Sequence, residues 1–391
     1  MHSALFLFTM MKRNITILYA IGLLQGMVFY GPVATLYRQA QGVGIFEITA
    51  IESISLLLCI VLEVPWGVLA DRIGYRKTMV FCSGLYFVSK IVFWQAESFG
   101  AFLLERVMLS IVIAGLSGVD TSILYLSCGA ESSHRVFGIY NGLQTAGLLA
   151  AALVFSLFIR DNYPISALLT VLSYGLAAIL ALFLKEVKGE KQRIDGQSFR
   201  QLLTGTLKDK RLLLLLLAMA FLSESHQTIT VFLNQLQYEK CGLESAAIGG
   251  IYIVVSLVGL MGVFSFRLTE KLGRKRTAAL LFASAAAACL VLSLTASAAL
   301  SAASILVLRL SNSLFEPLQT ELQNRQTDTS HRATAMSIYA MIINSVAIVT
   351  NLIFGSLAER NLSTAFLFGF ILCSAGLVLF FLWHKGVSRI N

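Results

Sequence analysis

Long apolar runs, each closed by a short polar or glycine-containing stretch, follow one another along the whole chain. They lie near residues 14–37, 45–70, 78–95, 100–126, 137–160, 164–184, 211–236, 246–268, 277–297, 301–323, 333–357 and 363–384. A helix needs roughly 20 apolar residues, rising about 1.5 Å each, to cross a hydrocarbon core about 30 Å thick. Each run is long enough for one crossing, so the pattern predicts an all-α polytopic membrane protein with 12 transmembrane helices. The single long polar stretch, 185–210, separates six spans from six. It divides the chain into a bundle at 1–184, a cytoplasmic linker and a second bundle at 211–391.

Composition agrees. Of 391 residues, 57% are hydrophobic and 13% charged, and the mean hydropathy is +0.78, which excludes a soluble globular domain. The net charge of +9 sits in short clusters between apolar runs, so it speaks for membrane topology and not for nucleic acid. With the N-terminus inside, Lys12, Arg13, Arg72, Arg76, Lys77, Arg135, the linker, Lys271 to Arg276, Arg325, Arg332, Lys385 and Arg389 are cytoplasmic. Only Arg38, Arg160, Lys240 and Arg360 remain outside. Excess inside charge orients both termini to the cytoplasm, as expected for a multi-pass protein of the cell membrane. The apolar start precedes Lys12 and Arg13, the reverse of a signal peptide, so no cleavage is expected; Met10 and Met11 offer alternative starts. Trp66, Trp94 and Trp383 fall at span ends, where indoles favour the headgroup level. The six cysteines imply no disulfide framework. The linker reads as a surface helix on the inner leaflet or, more simply, as a solvated connection.

The halves also repeat in sequence. Asp71 to Thr78, after span 2, returns as Glu270 to Thr277 after span 8, and Ser133-His134-Arg135 before span 5 returns as Ser330-His331-Arg332 before span 11. Echoes at matching places argue for a duplicated six-helix unit.

The stretch Gly67-Val68-Leu69-Ala70-Asp71-Arg72-Ile73-Gly74-Tyr75-Arg76-Lys77 resembles the cytoplasmic loop signature of the major facilitator superfamily, G-x-L-A-D-R-x-G followed by basic residues. Tyr75 stands where that family usually has a basic residue, and Phe266 replaces the leading glycine of the second copy. The resemblance implies two pseudo-symmetric six-helix bundles and a cytoplasmic latch that holds when the transporter is open outward. Gly67, Asp71, Arg72, Gly74 and Arg76 would form the latch: Gly74 permits a tight turn, Asp71 faces the positive end of span 11, and the arginines bind carboxylates. Asp120, towards the cytoplasmic end of span 4, would complete it with Arg72 or Arg76. Glu63-Val64-Pro65-Trp66-Gly67 and Ser117-Gly118-Val119-Asp120 look like stretches of drug-efflux members. Span 5 carries Gly138, Gly142 and Gly147 but not the glycine-proline pattern of many antiporters, which leaves direction open.

Ionisable groups near a bilayer centre cost about 2.5 to 3.5 kcal/mol each, so those present tend to face protein or a watery cavity. Span 7 carries Ser223 to Thr228 and Thr230, a polar run that a lipid-facing helix would not tolerate. Within it Glu224 is the expected proton-coupling carboxylate, with His226 read as a sharer of the proton or as a hydrogen-bonded packing residue and Gln227 as a cavity contact. A helix-packing hydrogen-bond cluster is the plainer alternative. Span 10 stacks Arg309, Asn312, Glu316, Gln319 and Gln323 along one face, and span 4 shows Arg106, Ser110, Ser117 and Asp120 in parallel. Arg106 and Arg309 read as ligands for cargo or as structural ion pairs, with Glu52 as one partner for Arg106; Glu316 is a second coupling candidate. Gln25, at the place in span 1 that corresponds to Glu224, and Tyr30 complete the expected cavity. Lys90 and Glu47 read as snorkelling residues near outer ends.

The five histidines are scattered, no phosphate loop is present, and neither a metal, a cofactor nor an enzymatic activity is expected. The reading is a proton-coupled secondary transporter that works as a monomer by alternating access. It exports small amphipathic or drug-like molecules or, alternatively, imports a small polar or anionic solute.

Overall fold

The structure, a computed structural model, describes residues 2–128, 133–187, 196–326 and 332–387; for some of these, including Gly67, Asp71 and Arg72, only the backbone is described. Every predicted span is helical. In the first half these are α1 (His2–Gly26) with a short continuation α2 (Ala34–Ala40), α3 (Ile45–Ile73), α4 (Tyr75–Trp94), α5 (Phe99–Leu116) with α6 (Val119–Cys128), α7 (Ser133–Val154) and α8 (Tyr163–Ala181). In the second half follow α9 (Gly196–Lys208), α10 (Lys210–Thr228) with α11 (Asn234–Lys240), α12 (Ser245–Gly259), α13 (Ser265–Leu294), α14 (Ala298–Asn324), α15 (Arg332–Arg360) and α16 (Leu362–Val387). Ten helical stretches among the described residues are long and apolar enough to cross a membrane. One of them, Ser245–Leu294, holds two predicted spans. The predicted third span, α4, is a further helix of 20 residues outside those ten, so twelve helices stand for the twelve apolar runs.

Helix ends follow local chemistry. Ser98 and Ser297 cap α5 and α14, Asn162 caps α8, Asp209 caps α10, and Asn361 accepts from the Ser363 amide at the start of α16. The repeated loop has the same backbone in both copies: Gly74 turns at φ 95, ψ 149, and Gly273, inside α13, at φ 77, ψ 154. That region is open to glycine and strained for other residues, which is why the glycine survives in both copies.

The chain divides into two compact units. The first is Met1–Val43 with Ile54–Gln192 and Ser245–Gly250; the second is Gly44–Ser53 with Arg193–Glu244 and Ile251–Asn391. Within the first, α1 packs on α7 and α8, and α4 on α5 and α8. Within the second, α10 packs on α15 and α16, and α13 on α14 and α16, which is the same arrangement in the same order. One offset relates Gly74 to Gly273, Ser98 to Ser297 and Asn162 to Asn361, and it carries Gln25 to Glu224.

Three expectations change. Spans 1 and 4 are interrupted, at residues 27–33 and at Ser117–Gly118 where Gly118 has φ 80, because Pro32 has no N–H to give and Gly118 turns left-handed. The linker is not a plain solvated connection: α9 is helical, packs on α10 and α15, and buries Thr206. Trp66 and Trp383 are buried in protein, Trp66 beside Phe81 and Trp383 beside Phe380. The six cysteines are free.

Candidate functional site

In the first unit the site forms around the interruption of the first span. Pro32 ends helical pairing, and the freed backbone groups find partners on one face of α8. Thr170 Oγ1 accepts from the Phe29 amide at 3.0 Å, while Ser173 Oγ and Tyr174 Oη donate to the carbonyls of Leu24 and Gln25, both at 2.6 Å. Residues spaced three and four apart on a helix share a face, so Thr170, Ser173 and Tyr174 were a legible signal that was missed. The break holds Tyr30, buried, and Gln25, half-buried, stands in the last turn of α1 before it; Gln25 Nε2 has no hydrogen-bond partner among the described residues.

Lys90 does not snorkel. Its side chain is 4% exposed, and Nζ donates to Glu105 Oε1 at 3.2 Å and to Tyr30 Oη at 3.1 Å. It also lies 5.2 to 5.8 Å from the ring centres of Tyr86, Tyr174 and Tyr30. A hydrated ammonium would reach for the interface; here a carboxylate and three aromatic faces replace its water. Glu105, 1% exposed, was missed because one carboxylate at the start of a span gives no pattern. In the second unit the same offset puts Cys289, Ser304 and Cys373 where the first has Lys90, Glu105 and Tyr174. Arg106, beside Glu105, is half-buried and is not the counterpart of Arg309, since the offset carries it to Ile305, about one turn earlier. Glu47 caps its own helix by accepting from the Gly44 amide at 2.9 Å.

In the second unit Glu224 is buried on α10, with the Glu52 carboxylate within electrostatic reach. Two residues on, His226 is 4% exposed, and its Nε2 lies 3.3 Å from Arg309 Nη1 and 3.2 Å from Thr230 Oγ1. Thr230 also donates to the His226 carbonyl at 2.8 Å. A π-helical stretch, Ile229–Leu233, follows at once, a local widening that recurs at functional places. The half-buried Arg309 guanidinium runs across Gly259, where a Cβ would strike it, and Glu316 and Tyr252 lie within its electrostatic reach. His226, Arg309 and Glu316 thus act on one another, while Glu224, two residues before His226 on α10, has Glu52 in reach. Gln227 is exposed, Glu316 is exposed and Asn312 is half-buried. Sequence reading also missed Asn351, 1% exposed, whose Oδ1 accepts from Thr228 Oγ1 at 2.6 Å.

The latch is changed more. The side chains of Asp71 and Arg72 lie outside what is described, and Gly67 is described by its backbone alone. Gly74 makes the expected turn, but Arg76 binds carbonyls: Nε donates to Leu184 O at 2.7 Å and Nη2 to Leu182 O at 3.1 Å, closing the end of α8. The pull is the negative C-terminal end of α8: the carbonyls of Ile179 to Ala181 already accept from the amides of residues 182–184, and Arg76 takes carbonyls that follow them. Asp120 instead accepts from Tyr140 Oη at 3.1 Å and from the Thr121 amide, so Asp120 and Arg76 hold different partners. The arginine–carboxylate pairing expected of the first loop occurs in the second copy, where Arg274 and Arg325 both bind Glu321, at 2.7 and 2.9 Å. Arg76→Ala is expected to lower stability by about 2 kcal/mol, with Arg76→Lys recovering less than half because an ammonium cannot fork to both carbonyls. Thermal unfolding in detergent would check this, and a wild-type midpoint for Arg76→Ala would deny the capping role.

A comparison with curated protein sequences finds no match. Among solved structures the chain is similar to the nucleoside transporter NupG, with 16% identity and a TM-score of 0.78 over 95% of this chain and 98% of that one. It is similar to a bacterial homologue of the human lysosomal transporter Spinster in its inward-facing, unoccupied conformation, with 16% identity and a TM-score of 0.70 over 96% and 95%. It is also similar to a POT family transporter in complex with 5-aminolevulinic acid, with 14% identity and a TM-score of 0.74 over 97% of each chain. Identities this low speak for the fold alone. The family model of the Major Facilitator Superfamily matches residues 15–350. With its helical, twice-repeated fold and its signature loop, the chain belongs to the major facilitator superfamily of membrane transporters.

Proposed function

We propose that this chain is a proton-coupled secondary transporter that carries small amphipathic molecules out of the cell by alternating access. The halves at 1–184 and 211–391, joined by the linker, would alternate between two states, and a monomer suffices. The observation that carries the reading is Glu224, a carboxylate 7% exposed in a membrane-spanning helix with a second carboxylate, Glu52, in reach. An ionised group at such depth is costly, and two such groups repel, so exchange of a proton is the chemistry this place favours. Export rests on the resemblance of Glu63 to Gly67 and Ser117 to Asp120 to efflux members.

A second reading, import of a small polar or anionic solute, draws on Arg309, which has no carboxylate within ion-pair distance among the described residues. Both can be tested in liposomes holding the purified protein and a proton gradient of either sign, with ethidium, uridine and benzoate as probes. Proton-driven export predicts that ethidium moves towards the acidic side only when protein is present. Uridine or benzoate moving towards the alkaline side, along with the protons and beyond the movement seen in protein-free vesicles, would favour import instead. Movement indifferent to the gradient would remove proton coupling.

A further inference from the structure

The contact between Arg309 and His226 has a consequence for charge. A guanidinium can only donate, so at 3.3 Å from Arg309 Nη1 the His226 Nε2 must be the acceptor. His226 is then neutral, with its proton on Nδ1. Its Nε2 lone pair is spent on Arg309, and the Thr230 hydroxyl turns to the His226 carbonyl at 2.8 Å. A proton arriving at Nε2 would remove the acceptor and set an imidazolium against a guanidinium. Protonation of His226 and its contact with Arg309 are therefore mutually exclusive.

Arg309 meanwhile lacks a counter-charge. Its Nε is buried without a hydrogen-bond partner, and no carboxylate lies within ion-pair distance among the described residues. Glu316 of α14 and Tyr252 of α12 act on it only from farther away. Arg309 is the charged group that acts on His226; no group of α13, α15 or α16 does so among the described residues, and Glu224 stands two residues away on the same helix. Gly259 makes room for the guanidinium, since any side chain there would occupy its place.

We propose that Arg309 and His226 form a proton-linked anion site, in which a carboxylate or phosphate group of the cargo binds the Arg309 guanidinium as His226 takes up one proton. The balance is simple. An anion on the guanidinium supplies the counter-charge and draws it from Nε2; the freed lone pair accepts the proton, and the entering charges cancel. Each event favours the other, because linkage between two binding equilibria is reciprocal. A guanidinium suits this class of ligand through paired hydrogen bonds to two oxygens. The inference rests on the second reading of the chain, import of an anionic solute, because an anion and a proton that favour each other's binding travel together.

Two measurements on the purified full chain in detergent test it. Histidine-selective 15N NMR should show His226 at neutral pH as the Nδ1–H tautomer with a bare Nε2; an Nε2–H tautomer or an imidazolium would overturn the proposal. Benzoate and phenyl phosphate, added to weakly buffered protein containing a pH dye, should bind saturably, at least one of them taking up about one proton per anion. Arg309→Gln should weaken binding at least tenfold, while His226→Gln, whose amide oxygen can still accept from Arg309, should bind without proton uptake. Binding of neither anion, binding without uptake in the unaltered protein, or uptake persisting in His226→Gln would each refute it. Uptake lost in Glu224→Gln but kept in His226→Gln would place the proton on Glu224, refuting this inference while sparing proton coupling. Anion-linked uptake at His226 without gradient-driven transport in liposomes would instead remove the transport reading alone.

Discussion

Glu224→Gln protein is expected to fold, to exchange cargo across a liposome membrane, and to lose the concentrative export of ethidium driven by a proton gradient. Glutamine keeps the shape and polarity of glutamate but cannot carry a proton at this position, buried on α10 with Glu52 in reach. Removing one of two repelling carboxylates also relieves a strain, so stability should stay within about 1 kcal/mol of the unaltered protein. The measurement is a pair of assays on ethidium, the probe of proton-driven export. Gradient-driven accumulation should fall to that of protein-free vesicles, while counterflow, which needs alternation but no net proton movement, should persist. Full gradient-driven transport by the variant would take the role from Glu224, and Glu52→Gln run beside it would show whether its neighbour holds the proton.

The second large effect concerns the frame. Gly26→Leu is expected to cost about 3 kcal/mol or more, enough to deplete folded protein, because a Cβ at Gly26 would run into the Gln144 backbone carbonyl of α7. The crossing is tight from both sides: a Cβ at Gly147 would run into the Leu23 carbonyl of α1. A side chain can rotate away, but a backbone in a packed helix cannot, so even Gly26→Ala should be measurably unstable. Gly138 and Gly142, on the same helix as Gly147, have open space where a Cβ would go. Alanine at either should be neutral or slightly stabilising through helix propensity, by about 0.5 to 1 kcal/mol. Thermal unfolding in detergent separates the two groups, and equal midpoints would show that the crossing can relax.

These glycines illustrate what a pattern carries. Span 5 shows three glycines in the chain, and nothing in their spacing says which touches a neighbour; that depends on where α1 crosses α7. Lys90 is a sharper case. Hydropathy places it near a span end, where snorkelling is the ordinary expectation, yet its partner Glu105 comes from another helix and its aromatic surroundings from three segments. Arg76 was read as a partner for carboxylates because of its family motif, whereas the nearest unmet need is the open end of α8. Glu224, His226 and Arg309 were singled out because a polar run inside an apolar span is expensive anywhere, a cost that depends on composition and depth and not on the fold.

The sequence by itself determined the helical class, the apolar runs, the duplication and the signature loop. Each is a local matter of which residues tolerate lipid and of spacing that survives in both halves. It also determined that span 7 must hide its polar residues. Only the tertiary structure decided that α8 supplies the partners for the interrupted first span, that Lys90 and Glu105 neutralise each other, and that His226 accepts from Arg309. Those pairings join residues distant in the chain, and helix rotation sets them. Hydropathy leaves that rotation free, and close packing of one helix on the next removes the freedom.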